Sequence, residues 1–289
     1  MQQGHPTGQA NYAAVTRKLA AKALAIATDT APHRAKEGER RWPIANAIPA
    51  ARLLVDQASD NDRSRLAASA QSLLGTLADP TGSITDGFGH ARPSYALFAT
   101  HLLASAAKHI NDQATLELTR QAVTTLLNRT PGPDDNDPRL AVWRRLIAYQ
   151  HGLAQAEELP RPSDTPAPLV PLGLNDLIDS WTYYELVGLH GLHLCGLIEQ
   201  DAALLTRARL AAEYHLGHTQ PDYTTYQPWA LAAFASDSGT AIFAEQQLHD
   251  VATHLSIEGP GGAVMPALLL ADNAAAMSGT LVAAWRVQA

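Results

Sequence analysis

The chain has 289 residues, a net charge of −7 and a single cysteine. Alanine (53 residues) and leucine (39) outnumber valine (10) and isoleucine (10) by more than four to one. That excess of helix formers over β-branched residues excludes a sandwich or barrel and argues against a parallel α/β sheet. The acidic balance repels phosphate backbones, and no basic helix or arm reverses it, which sets nucleic acid aside as a partner.

In chain order, the first fifteen residues lack a charged region followed by an apolar run, so they do not read as a signal peptide. The expectation is a soluble chain, cytoplasmic, or secreted if a leader has been removed. Helical periodicity then alternates between two styles. Segments 11–30, 62–78, 113–128, 201–217 and 239–255 are amphipathic. In 113–128, Leu116, Thr119, Ala122, Val123, Leu126 and Leu127 share one face, while Glu117, Arg120 and Gln121 take the other. Between them, 46–58, 93–109, 138–156, 176–198, 227–236 and 264–286 are small, apolar on most faces and poor in charge. The run 268–285 carries Asp272 and Asn273 near its middle and reads as a buried helix, not a membrane span.

Half-wet and buried helices in alternation are what two concentric layers produce. The buried segments open at intervals of about 37 to 51 residues, room for a helix out, a helix back and two loops. The fold expected is an all-α (α/α)6 toroid, one domain over 1–289. One outer helix is missing, because ELPRPSDTPAPLVPLG (158–173) holds five prolines. It is either an extended strap replacing that helix or a linker between two helical lobes.

The stretch 73–104 runs through Asp79, Gly82, Ser83, Asp86, Gly87, Phe88 and Gly89 into Ser94 and Tyr95. This resembles one repeat of the terpenoid cyclase and protein prenyltransferase toroids, and QPDYTTYQPWALAAF (220–234) is a second echo. The resemblance covers two of about six repeats and implies the toroid. Class II cyclases of this architecture use an Asp-x-Asp-Asp motif whose middle aspartate protonates an olefin. Here the nearest segments are Asp222-Tyr-Thr-Thr, with Thr224 at the acid's position, and the acidic turn Asp134-Asp-Asn-Asp137. The prenyltransferase zinc site takes an Asp, a Cys and a His from separate inner helices; Cys195 lies on one of them here.

Loops feeding inner helices of a toroid line one mouth of its cavity. Ten of the 17 aromatic residues fall in those loops or the first turns after them: Trp42, Phe88, Tyr95, Trp143, Trp181, Tyr183, Tyr184, Tyr223, Tyr226 and Trp229. Arg41, His90, Arg92, His218 and Asp222 accompany them. Aromatic faces with a few Arg, His and acidic groups suit a small-molecule or oligosaccharide ligand. Within 179–194, Glu185, His190 and His193 interrupt a helix of Leu, Val and Gly, and the two histidines lie about 60° apart on one face. They are candidates for an acid–base cluster, against the alternative of core histidines bonded to the backbone. His215 and His218 repeat the spacing at the end of an outer segment, where the helix dipole explains them equally well. No cofactor signature is present; a divalent metal at the histidine pairs is an alternative.

The candidate catalytic residues are Glu185, His190, Tyr184, His90, Tyr95 and Asp222. The candidate substrate-binding residues are Arg41, Trp42, Arg92, Trp143, Trp181, His218, Tyr226 and Trp229. Three functions compete. The first is a lyase or hydrolase acting on an anionic, uronate-type sugar, with Arg92, Arg41 or His90 neutralising the carboxylate and Tyr184 or Tyr95 moving protons. A hydrolase would use Glu185 and Asp222 as its carboxylate pair. The second is a terpenoid-cyclase-like enzyme, and the third a non-enzymatic toroid binding a ligand or partner.

Overall fold

A computed structural model describes residues 7–29, 42–86, 89–129, 136–153, 159–219, 227–257 and 260–286. Among the described residues the protein is all-α, with one short parallel strand pair, β1 (Trp42–Pro43) beside β2 (Ile84–Thr85). The helices are α1 (Thr7–Asp29), α2 (Ile48–Leu54), α3 (Asp60–Ala78), α4 (Pro93–His109), α5 (Gln113–Asn128) and α6 (Pro138–Gln150). They continue with α7 (Ile178–Glu199), α8 (Ala202–His218), α9 (Leu231–Ala235), α10 (Ala241–Ile257), α11 (Val264–Met277) and α12 (Thr280–Arg286).

Local chemistry explains where several of them start. Ser59 and Asp62 form a reciprocal capping box on α3: the Ser59 hydroxyl accepts from Asp62 N, and Ser59 N donates to the Asp62 carboxylate at 2.9 Å. Asp112 and Asp201 accept from the first-turn amides of α5 and α8. Asp137, last of the acidic run, caps α6 by accepting from Arg139 N at 2.8 Å, with Pro138 at the first helical position. Asp134 and Asp135 lie outside the described residues.

Two classes of helix result. α4, α7, α9 and α11 are buried along almost their whole length, and α2 and α6 nearly so. α3, α5, α8 and α10 bury a single face. The buried helices touch in sequence: α2 packs on α4, α4 on α6, α6 on α7, α7 on α9, α9 on α11, and α11 on α2. The half-wet helices pack across these neighbours, α5 on α3 and α4, α8 on α7 and α9, and α1 on α11 and α2.

Four expected segments are shorter than their periodicity implies, and that over 138–156 ends at Gln150. The helix over 46–58 stops at Leu54, and Asp56 turns into the left-handed region (φ 57°). That over 227–236 is helical only from Leu231, because Ala230 is left-handed at φ 60°. The segment 264–286 is two helices bent by 65°, with Gly279 at φ 76° between them, so 268–285 is not one continuous helix. No single helix among the described residues is long and apolar enough to cross a membrane.

The described part of the proline-rich segment, 159–173, contains no helix or strand. Arg207 on α8 holds it by donating to the carbonyls of Arg161 (2.9 Å), Ala167 (3.0 Å) and Pro168 (2.6 Å). Trp181 Nε1 donates to Val170 O at 2.8 Å. Proline has no N–H to give, so carbonyl acceptors are what such a segment offers its neighbours. α6 meets α7 closely because Gly191 leaves room for Trp143: a Cβ there would stand 2.8 Å from the indole nitrogen.

Candidate functional site

Three groups of polar side chains meet the buried helices, the first two adjoining at Arg139. The first sits at the N-terminal ends of α4 and α7. Ser94 Oγ and the Tyr183 hydroxyl are 3.0 Å apart, and the Arg92 guanidinium lies 4.1 Å from the centre of the Tyr183 ring. The buried Tyr95 phenol lies beside Gln227 and Tyr183. Burial pushes both the Tyr95 and Tyr183 phenols above their ordinary value, so both keep their protons at neutral pH. Tyr184 is half-buried, packs edge-on against Tyr183, and faces the Arg139 guanidinium at 5.5 Å. Beside this cluster the turn into α4 is closed by Asp86, whose carboxylate accepts from His90 N (2.9 Å) and meets His90 Nδ1 (3.1 Å). A carboxylate only accepts, so Nδ1 carries a proton.

The second network surrounds Glu185, which is fully buried. Its oxygens accept from Leu169 N (2.7 Å) and Val170 N (2.9 Å) and meet His215 Nε2 (3.3 Å) and Arg139 Nη1 (3.4 Å). Four donors fill the four lone-pair positions of a carboxylate. Glu185 therefore has nothing left to offer a solute, and its part is to hold the proline-rich segment against α7. The cavity-facing acid expected from the sequence is corrected on that ground.

The third network joins the buried helices at their centre. His190 Nε2 lies 2.8 Å from Asp272 Oδ2, and His101 Nε2 lies 3.0 Å from Asp272 Oδ1. Ala230 N donates to His190 Nδ1 at 3.1 Å, so His190 is the Nε2–H tautomer. In the tautomer of His101 that donates to Asp272, Nδ1 accepts from the Gln150 amide at 3.1 Å. Burial alone would raise the Asp272 carboxyl, but the electrostatic attraction and hydrogen bonds of His101 and His190 hold it well below the ordinary range. Phe98, Trp143 and Trp229 enclose His190, with ring centres 5.5–6.2 Å away. The neighbouring Asn273 accepts from Ala232 N (2.8 Å) and donates to Pro228 O (3.0 Å), and Gln247 donates to Trp229 O (3.1 Å). The left-handed backbone at Ala230 is thus fixed from three helices.

The expected site residues divide accordingly. Arg92 and Tyr184 both pack on Tyr183, with Tyr95 beside it, and His90 is held by Asp86 in the turn before α4. His190 is sealed in the core with both ring nitrogens bonded. Trp42, Trp143 and Trp229 are at most 1% exposed and support the fold from beneath; they form no open aromatic bowl. Trp181 serves the proline-rich segment. His218 stacks on Tyr214 at 4.2 Å at the exposed end of α8, away from the helix starts. Arg41, Asp222 and Tyr226 lie outside the described residues, as do Gly87 and Phe88. His101, Gln150 and Asp272 escaped the sequence reading as partners, although an acid and a histidine inside apolar helices both demand one.

Among the described residues no group of three or more His, Cys, Asp or Glu side chains is arranged to hold a metal ion. Cys195 is buried, donates toward Val142 O at 3.5 Å, and its thiol is pushed up by burial, which makes it unreactive. No known protein family, curated protein or solved structure matches the chain.

Proposed function

We propose that the chain is an (α/α)6 toroid whose inner-helix N-terminal mouth acts on an anionic, uronate-type sugar by β-elimination. Support for the toroid comes from the succession of contacts through α2, α4, α6, α7, α9 and α11 and back to α2. The proline-rich strap takes the place of the outer helix between α6 and α7. The observation that carries the functional reading is the juxtaposition of Arg92 with the hydroxyl cluster of Ser94, Tyr95 and Tyr183.

In this reading Arg92 pairs with the uronate carboxylate and so acidifies the proton on C5. His90, oriented by Asp86, takes that proton on Nε2. The electron pair forms the C4–C5 double bond, the C4–O bond breaks, and the leaving oxygen receives a proton from the Tyr184 hydroxyl. Tyr95 and Tyr183 hold the Arg92 platform and do not titrate in the working range.

The terpenoid-cyclase-like alternative requires a deep apolar cavity, and the rings of Phe98, Trp143, His190 and Trp229 occupy the meeting point of the inner helices. The non-enzymatic alternative is favoured by the saturation of Glu185 and His190. Titration with oligogalacturonate and with its carboxyl-reduced, neutral counterpart tests the proposal. The acidic oligomer binds, and Arg92→Met weakens it at least tenfold while the neutral one stays weak. Equal affinity for both oligomers, or no effect of Arg92→Met, overturns the reading.

A further inference from the structure

At the opposite, C-terminal ends of the buried helices, α7, α9 and α11 leave a cleft of about 170 Å³. Its walls are Leu197, Ala232, Ala235, Ala276 and Met277, with Ser236 and His193 as the polar groups. Three of the walls are alanines, so the space exists because the side chains are short. His193 is more than nine-tenths buried. The other buried histidines, His101, His190 and His215, have both ring nitrogens hydrogen-bonded. His193 makes no hydrogen bond among the described residues. Its ring nitrogens are reached from the cleft, where the polar group of a ligand can bond them.

We infer that this cleft binds a small neutral hydroxyl compound of phenol size, with its apolar body against the alanines and Met277 and its hydroxyl on the His193 imidazole. The size follows from the volume, since a cavity of about 150 Å³ is known to hold benzene. The head group follows from the ring. Burial, with His190 nearby, depresses His193 to about 4, so at neutral pH it offers one N–H and one lone pair. A hydroxyl matches both. A carboxylate can take the N–H but has no proton for the lone pair, and it would carry a full charge into an apolar cleft. This site is distinct from the mouth at the other end of the helices and does not depend on the activity proposed there.

The protein has three methionines, and among the described residues only Met277 of these touches the cleft. With methyl-¹³C methionine, the full chain is titrated with phenol, toluene and benzoate. Phenol moves the Met277 methyl resonance saturably and leaves the buried Met265 in place, toluene binds at least tenfold more weakly, and benzoate does not bind. His193→Leu reverses the order of phenol and toluene. The inference is overturned if phenol gives no saturable shift at Met277, or if toluene or benzoate binds the unmodified protein as well as phenol does. The same holds if His193→Leu leaves the order unchanged. The comparison of three ligands on the unmodified chain stands even if the variant fails to fold.

Discussion

Asp272 on α11 and His190 on α7 are joined by a 2.8 Å hydrogen bond, and the Ala230 amide on the far side of the imidazole fixes which nitrogen donates. One carboxylate thereby ties α11 to α7 and, through His101, to α4. Removing an acceptor from two buried donors leaves both unpaired. Asp272→Ala should cost about 3–5 kcal/mol in urea unfolding, and long-range ¹H–¹⁵N spectra should show His190 protonated on Nε2 and not on Nδ1. A cost within experimental error of an exposed substitution would remove the network from the account.

Acid stability follows from shifts in one direction, all downward. The folded value of His193 lies near 4, below the ordinary 6.5 of the unfolded chain. Its contribution is complete above pH 6.5 and is lost as pH falls from 6.5 to 4, by about 3 kcal/mol in all. His151 is shifted the same way, also to about 4, and adds to the slope. Asp272, held low, contributes stability that is present above the unfolded carboxylate value and disappears below it. Urea midpoints between pH 7 and 4 should therefore fall, and His193→Gln should flatten the curve. An unchanged slope in that variant would contradict the assignment.

The proline-rich strap is predicted to depend on Arg207. Its guanidinium supplies donors to three strap carbonyls while being 6% exposed. Arg207→Ala should cost about 2 kcal/mol, accelerate proteolysis within 159–173, and lower hydrogen-exchange protection of the Leu169 and Val170 amides that Glu185 accepts. Protection equal to that of the unmodified chain would mean the strap is held by packing alone.

Two glycines should respond with opposite signs. Gly191→Ala drives a methyl to 2.8 Å from the Trp143 indole and should destabilise by about 1–3 kcal/mol. Gly217→Ala, on exposed α8 with nothing within 4 Å, should stabilise by about 0.5–1 kcal/mol through helix propensity. Thermal unfolding of the two variants side by side checks the packing of α6 on α7.

Most of the helical frame was legible in the sequence, because burial on several sides removes charge from a helix and leaves a visible contrast. The buried segments expected to open near 93, 138 and 264 begin at Pro93, Pro138 and Val264. Ends set by the backbone were not legible. The left-handed turns at Asp56 and Ala230 carry no glycine, and Ala230 adopts its conformation only because His190, Asn273 and Gln247 bond the residues around it. The same limit applied to the site. Burial within an apolar helix required Glu185 to be paired or protonated and left His190 open between an acid–base role and a core histidine, but partners 15 to 82 residues away, Val170 to Asp272, are visible only in three dimensions. Arg92 and Tyr95, close in sequence, were found together.

The central claim is that the mouth at the start of α4 performs β-elimination on uronates. Its most direct test follows the absorbance of the new C4–C5 double bond while the protein is incubated with a panel of uronate polymers. The account predicts a steady rise on at least one polymer, reduced by about a hundredfold or more in His90→Ala and in Tyr184→Phe, with both variants folded by circular dichroism. No rise on any polymer, or full activity in His90→Ala, would contradict it.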